Sequence, residues 1–380
     1  MVQILTWGSS YYLLAVLAAP IAADTGWSLP WIMGSLSLGL LMAGLASPRV
    51  GLLIGAHGGR WVLMGGCGFL AAGLGVLAVA PNLAIFALGW CLAGVGMAAC
   101  LYDAAFAALG HLYGAAARRP ITLLTLWGGF ASTVCWPLSA FLALHLGWRG
   151  ACLAYAAIQL VVCIPLLAFF LPGGGRGEVG EDAPRRASRI AEGTTLHGRD
   201  LTRFLLLAGI GTLCGTIASA MSVQVLALLQ SRGFSLAEAV TVGALIGPSQ
   251  VLARIVEQLS GGRHHPMWTM SWAVGLMGLG LILLAAGFPI IAVALAAYGA
   301  GNGIFSIAKG TVPLAVLGAE RYPVLAGRLA RPALLAQALA PLGAGYLLAT
   351  GGADAVLVML VTLWLGSAAL VALLWRARDA

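Results

Sequence analysis

The sequence predicts an all-α polytopic membrane protein, with twelve transmembrane helices in two pseudo-symmetric six-helix bundles. Three observations carry this reading. Of 380 residues, 61% are hydrophobic and only 8% are charged, whereas a soluble domain is about a quarter charged. Twelve apolar stretches are each long enough to cross about 30 Å of hydrocarbon as a helix. A single long polar segment divides those stretches six and six. The mean hydropathy of +0.98 also excludes a disordered chain.

In order, the stretches are 3–23, 31–55, 61–80, 83–108, 120–144, 150–171, 202–229, 237–258, 267–287, 289–317, 330–350 and 354–376. Backbone polar groups cannot go unpaired in lipid, so each stretch must be helical. The alternation over about ten residues that marks a membrane β-strand is not seen. The first stretch ends in Ala22-Ala23-Asp24 but has no positive lead, and the second follows at once. It is expected to be an uncleaved helix rather than a secretion signal. Segment 172–201, opening on Gly173-Gly174-Gly175, reads as a flexible linker. The expected domains are therefore an N-terminal bundle, 1–171, and a C-terminal bundle, 202–380.

The two halves also resemble each other. Gly26-Trp27-Ser28-Leu29 after the first stretch returns as Gly233-Phe234-Ser235-Leu236 after the seventh, 207 residues later. Ala93-Gly94-Val95-Gly96-Met97 matches Ala300-Gly301-Asn302-Gly303-Ile304 at the same offset. Gly58-Gly59-Arg60 pairs with Gly261-Gly262-Arg263, and Arg119-Pro120 with Arg331-Pro332, expected to open stretches five and eleven. Four matches in order indicate a duplication.

The net charge of +8 records topology, not a nucleic-acid partner. With the N-terminus inside, Arg60, Arg118, Arg119, Arg176, Arg185, Arg186, Arg189, Arg199, Arg203, Arg263, Arg321, Arg328, Arg376 and Arg378 fall on the cytoplasmic side. Only Arg149 and Arg232 fall in the opposite loops, so both termini are placed in the cytoplasm. The seven cysteines lie almost entirely within the apolar stretches and lack paired spacing, so neither a disulfide framework nor a metal site is expected. Nor is a cofactor: the chain has no nucleotide-binding loop, and its single lysine, Lys309, is followed by Gly310.

Between the second and third stretches the chain reads Gly51-Leu52-Leu53-Ile54-Gly55-Ala56-His57-Gly58-Gly59-Arg60. This resembles the loop motif of the major facilitator superfamily: a Gly, then Asp-Arg, then Gly-x-Arg. The glycines and Arg60 are kept, while Gly55 and Ala56 stand where Asp and Arg are usual. Tyr113 with Arg118-Arg119, and Gly147-Trp148-Arg149, are similar to the monocarboxylate-porter branch. Gly247-Pro248-Ser249-Gln250-Val251 and Lys309-Gly310-Thr311-Val312-Pro313-Leu314 are similar to bacterial arsenite-efflux members. The resemblance implies a bacterial inner-membrane protein, monomeric by default, with stretches one, four, seven and ten lining a central site between the halves.

Ionisable residues inside membrane helices are site candidates, because burying them costs several kcal/mol unless they are paired or hydrated. Lys309 and Asp103 lie in stretches ten and four. Arg49 and Arg254 occupy equivalent points of stretches two and eight, and Glu257 follows Arg254 by three, placing the two on one face where they can pair. Each also has a structural reading, as an ion pair or a charge reaching the headgroups. Arg254, Lys309, Arg49 and Arg331 outnumber Asp103 and Glu257, a balance that suits an anion. Asp103 and Glu257 are candidate proton-coupling groups, and Arg49, Arg60 and Arg331 candidate gating groups. Tyr11 and Tyr12 lie deep in the first stretch, where a buried hydroxyl needs a partner. Asn302, Gln224 and Gln337 are buried amides. Cys214 and Cys100 are soft ligands that suit trivalent arsenic, or simply packing groups.

The expected function is secondary active transport by alternating access, coupled to protons, of a small anionic or weakly acidic solute resembling a monocarboxylate. Lys309, Arg254, Tyr12, Tyr11, Asn302 and Cys214 are the expected substrate contacts. Efflux of arsenite, antimonite or another toxic compound is the alternative. A channel would need a polar ring or filter repeat. An intramembrane enzyme would need a converging Ser–His or Glu–His constellation, and His111 and His145 stand at helix ends. The expected partners are the solute, protons and membrane lipid.

Overall fold

The computed structural model describes residues 1–172, 195–260 and 263–379. Most of the segment read as a linker, and Gly261-Gly262 of the third repeat match, lie outside the described residues. Helix already begins at Gly198, inside the stretch assigned to the linker.

The first stretch is two helices, α1 (Val2–Gly8) and α2 (Leu13–Thr25). Then come α3 (Leu29–His57) and α4 (Gly59–Val79). The fourth stretch is divided into α5 (Leu83–Cys100) and α6 (Tyr102–Tyr113). Helix α7 (Arg118–Gly128) and the first part of α8 (Ala131–Ile158) make the fifth. Within α8, Gly147 at φ 70° breaks the run and starts the sixth, which passes through a π-turn at Gln159–Cys163 into α9 (Ile164–Phe170). The second half comprises α10 (Gly198–Gln230), α11 (Leu236–Gly243), α12 (Ile246–Leu259), α13 (Pro266–Ala285), α14 (Ile291–Leu317) and α15 (Tyr322–Asp379). Gly352, at φ 71°, splits α15 as Gly147 splits α8.

Contacts divide the chain into two compact units. The first is Met1–Ala117, Trp127–Thr195 and Ala319–Leu335; the second is Arg118–Leu126, Leu196–Gly318 and Ala336–Ala380. Each unit thus holds a short piece of helix from the other half of the sequence.

Inside each unit the same close crossings recur, and they correct one register. Gly96 of α5 lies against Gly66 O and Leu70 N of α4, and Gly301 of α14 lies against Ala273 O and Met277 N of α13. Gly94 meets Gly39 of α3, while Gly299 meets Ile246 of α12. Gly73 meets Gly89 and Ala93, as Gly280 meets Ala294 and Tyr298. Helices α3 and α4 map onto α12 and α13 at 207 residues, but α5 maps onto α14 at 205. Gly94 therefore corresponds to Gly299, not Gly301. The 207-residue match rested on abundant glycine, whereas backbone–backbone approach fixes where glycine is required.

A second correction concerns Arg331-Pro332, which open no helix. The chain turns at Gly318 (φ 85°), and α15 starts at Tyr322, with Pro323 in its first turn, where a missing N–H costs nothing. Buried Val324 and Leu325 continue the apolar face.

The ends of the units are fastened alike. In the first, Arg149 pairs with Asp24 at the end of α2 and donates to Ala80 O at the end of α4, at 3.4 Å. Trp148 Nε1 donates to Asp24 Oδ2 at 2.9 Å. Hydrogen bonds from Trp148, then Arg149, hold the Asp24 carboxyl below its usual range. In the second, Arg232 after α10 pairs with Asp354 at 4.0 Å and donates to Ala285 O at 3.3 Å.

Candidate functional site

Three helices of the first unit are interrupted around one aromatic cluster. In the first, Ser9 Oγ donates to Leu5 O at 2.8 Å and Ser10 Oγ to Thr6 O at 2.5 Å, competing with main-chain donors for those carbonyls. Tyr12 N then reaches back to Trp7 O, and residues 9–12 are not helical. Between α5 and α6, Leu101 is extended, and Gln3 Nε2 donates to Cys100 O at 2.7 Å. Residues 129–130 break the run between α7 and α8, and α7 ends on Gly128, where any Cβ would overlap the Tyr102 hydroxyl. Irregular backbone at membrane depth is tolerated only where protein or water covers it.

Around these turns, Trp7 stands 4.9 Å from Tyr102, 5.5 Å from Tyr11 and 5.9 Å from Tyr12, ring centre to ring centre. Tyr12 lies 6.3 Å from Trp136. The two expected tyrosines are thus brought together and half-buried. Sequence reasoning missed Tyr102 and Trp136 as members of the cluster. Asp103 is half-buried in the first turn of α6, where an acid complements the helix dipole.

The second unit presents a polar stripe. On α14, Asn302, Ser306 and Lys309 are half-buried while Gly303, Ile304, Phe305, Ile307, Ala308 and Gly310 are buried. Spacings of four and three put the stripe on one face. Ser306 was missed, although its place between Asn302 and Lys309 was readable. Other candidates pack inward. Cys214 is 1% exposed, and Gly215 beside it abuts the Gln337 amide of α15. Ser219 Oγ donates to Gln337 O at 2.8 Å.

Arg254 does not follow the expected pairing with Glu257. It is 6% exposed, with Nε donating to Gly303 O at 3.2 Å and Nη1 to Thr125 O at 3.3 Å, so it ties α12 to α14 and α7. Glu257 Oε1 instead accepts from Thr269 Oγ1 at 2.8 Å and lies 3.6 Å from Arg118 Nη2 and 3.4 Å from His264 Nε2. These partners are close in space but belong to other segments, which an i, i+3 rule does not see.

Of the three expected gating arginines, Arg331 lies at the crossing of α3 and α15 through its main chain, its O 3.3 Å from where a Cβ on Gly44 would stand. Arg49 and Arg331 are exposed. Arg60 lies over the Trp61 ring at 5.5 Å, its Nε buried without a hydrogen-bond partner. In the first unit, α3 and α15 meet through glycine. A Cβ on Gly51 would lie 2.7 Å from Pro323 O and 3.1 Å from Gly327 Cα, and one on Gly327 would overlap Ser47 O. Gly110 of α6 lies against the ring of Tyr322, which is 1% exposed.

The sequence profile of the Major Facilitator Superfamily matches residues 1–263. Among solved structures, FucP, the E. coli fucose:proton symporter, in its outward conformation, is similar at a TM-score of 0.74 and 13% identity, covering 98% of this chain and 97% of that one. The human organic anion transporter MFSD10 (TETRAN) gives 0.69 at 18% identity, covering 97% of each chain. The proton:xylose symporter XylE gives 0.71 at 13%, covering 99% and 93%. At such identities the likeness is one of fold. The transcription regulatory protein OpdE of Pseudomonas aeruginosa is 26% identical over 153 residues, 40% of this chain; the match spans 38% of that protein's length. With the profile covering more than two-thirds of its residues, the chain belongs to the major facilitator superfamily, as a multi-pass membrane protein.

Proposed function

We propose that the chain carries a small anionic or weakly acidic solute, monocarboxylate-like, by proton-coupled alternating access across the bacterial inner membrane. In this reading both termini are cytoplasmic, and 1–171 and 202–380 are the moving halves. The supporting observation is the Asn302–Ser306–Lys309 stripe, an ammonium and two neutral polar groups on an otherwise buried apolar helix. Fixed positive charge recovers part of the cost of desolvating a carboxylate. The aromatic cluster at Trp7, Tyr11, Tyr12 and Tyr102 suits the apolar body of such a solute, and its phenols suit an oxygen. Asp103 is the proposed proton site. Arg254 is assigned a positioning role, since its guanidinium is engaged by two carbonyls. Cys100 and Cys214 are buried on packing faces, which favours the carboxylate over the metalloid.

The test is thermal stabilisation of detergent-purified protein by lactate, pyruvate, phosphate and arsenite, each at two pH values. A ligand at about 100 times its dissociation constant adds about 2.7 kcal/mol. A carboxylate shift that disappears in Lys309→Ala supports the reading. An arsenite shift that needs Cys214 or Cys100 replaces it with metalloid efflux. Uptake into proteoliposomes under an imposed pH gradient tests the coupling: a rate indifferent to the gradient removes the proton.

A further inference from the structure

We propose that His264 is a proton-operated release for residues 118–126, loosening their hold on α12 and α13 when the imidazole becomes charged. This is independent of which solute is carried. Glu257, only 10% exposed, is the hub of the contact. Its Oε1 receives the Thr269 hydroxyl of α13 and faces two nitrogens on different segments, Arg118 Nη2 of α7 and His264 Nε2 of the α12–α13 loop. Arg118 Nη1 donates to His264 O at 2.6 Å, so guanidinium and histidine are held side by side. One turn earlier on α12, Arg254 reaches the same segment through Thr125 O. These contacts account for 118–126 packing with the second unit.

Among the described residues, the charged, titratable and polar groups seen around the imidazole come from three helices and its own loop. Glu257 faces it from α12 and Arg118 from α7, while Thr269 of α13 brings no charge. Its own loop adds Arg263 and His265, whose Nδ1 accepts from Met267 N. Histidine is the side chain whose ordinary charge change falls between about pH 5 and 8.

The sign follows from counting pairs. With His264 neutral, detaching Arg118 loses its attraction to Glu257. With His264 charged, the same step loses that attraction but also relieves repulsion between two cations sharing one carboxylate oxygen. Arg118 is therefore held less tightly in the protonated state. The His264–Glu257 attraction survives detachment, since both groups stay on the second unit's own helices and loop, so it does not oppose the release.

Hydrogen–deuterium exchange of the full-length protein in nanodiscs, corrected for intrinsic rates, tests this at about pH 5.5 and about pH 7.5, either side of the ordinary histidine value of about 6.5. Protection of amides in 118–126 is expected to fall about two- to fivefold on acidification, the range a partly exposed ion pair carries. Amides in 59–79 should not respond. His264→Gln, uncharged at both values, should abolish the response, and Glu257→Gln should lower protection at the higher pH toward the acid level. Arg118→Gln removes the competing cation and should flatten the response too, which keeps the test decisive if the histidine variant misfolds. Wild-type protection that is unchanged across the range overturns the proposal. So does a pH response that survives His264→Gln or Arg118→Gln.

Discussion

Arg149 and Asp354 occupy the same corner of the two units and carry opposite charge. Each stands two residues after the glycine that opens its unit's last span, Gly147 or Gly352, and the two are 205 residues apart. Arg149 meets the acid Asp24 at the end of α2, and Asp354 meets the base Arg232 at the end of α10. In both corners it is the arginine, whichever strand of the corner supplies it, that also caps a helix-end carbonyl: Ala80 O in one and Ala285 O in the other. The duplication has kept the contact and exchanged its polarity.

The exchange makes a charge swap the natural test. Asp24→Arg alone places two cations together and should lower the melting temperature, and adding Arg149→Asp should restore most of the loss. Acidity should reveal the same corner. The Asp24 carboxyl is depressed in the folded protein by Trp148 and Arg149, below an unfolded value of about 3.9. Its contribution is complete above the unfolded value and is lost as pH falls through the folded one. Melting curves of wild type and Asp24→Asn should therefore differ above about pH 4 and converge below it. Because the pair is largely exposed, the difference should be small. Curves that stay parallel through the acid range would falsify the assignment.

The spans and the repeat were legible because lipid forces backbone groups to pair within helices, whatever the side chains do. The register of α14 was not. Gly301 matches Gly94 by composition, yet packs as Gly96 does, and only contact with Ala273 and Met277 reveals it. The helix interruptions were hidden for another reason. The Cys100 carbonyl beside the break at Leu101 is met by Gln3, nearly a hundred residues away. Tyr11 and Tyr12 were readable as candidates, but Tyr102 and Trp136 were not, since their neighbours come from separate helices. Glu257 shows the limit of local rules: i, i+3 spacing pointed to Arg254, while tertiary packing supplied Thr269, His264 and Arg118.

At the crossing of α3 and α15, Gly327 has no room for a methyl group, because Ser47 O and Gly51 already occupy the space. Gly327→Ala should cost about 1–3 kcal/mol, the usual penalty of overpacking a tight contact. Gly343 of the same helix has open space around it, and Gly343→Ala should be neutral or slightly stabilising. Parallel melts of the two variants check this. Equal melting temperatures would show that the crossing is not a tight one in solution.

Gly128 and Tyr102 should behave as one unit. A methyl group on Gly128 would overlap the phenol oxygen and crowd the ring, so Gly128→Ala must push Tyr102 out of the aromatic cluster. Its effect on solute affinity should shrink when the hydroxyl is already gone. A double-mutant cycle with Tyr102→Phe is expected to show a coupling of about 0.5–3 kcal/mol, the range for residues in contact. Additive effects would mean that the two act separately.

Lys309 carries the most exposed consequence of the proposed function. If its ammonium receives the solute's negative charge, Lys309→Gln should weaken binding of a carboxylate by about 1.5–3 kcal/mol, the usual worth of a hydrogen bond to a charged group. The uncharged amide of the same acid should be almost unaffected. Ser306→Ala, on the same face of α14 but neutral, should weaken both ligands alike and by about 1 kcal/mol at most. The contrast matters more than either loss, because a variant that merely distorted α14 would reduce acid and amide binding together. Isothermal titration of both ligands against the three proteins separates these cases, and a Lys309→Gln variant that loses the amide as completely as the acid would assign Lys309 to the fold instead of the solute.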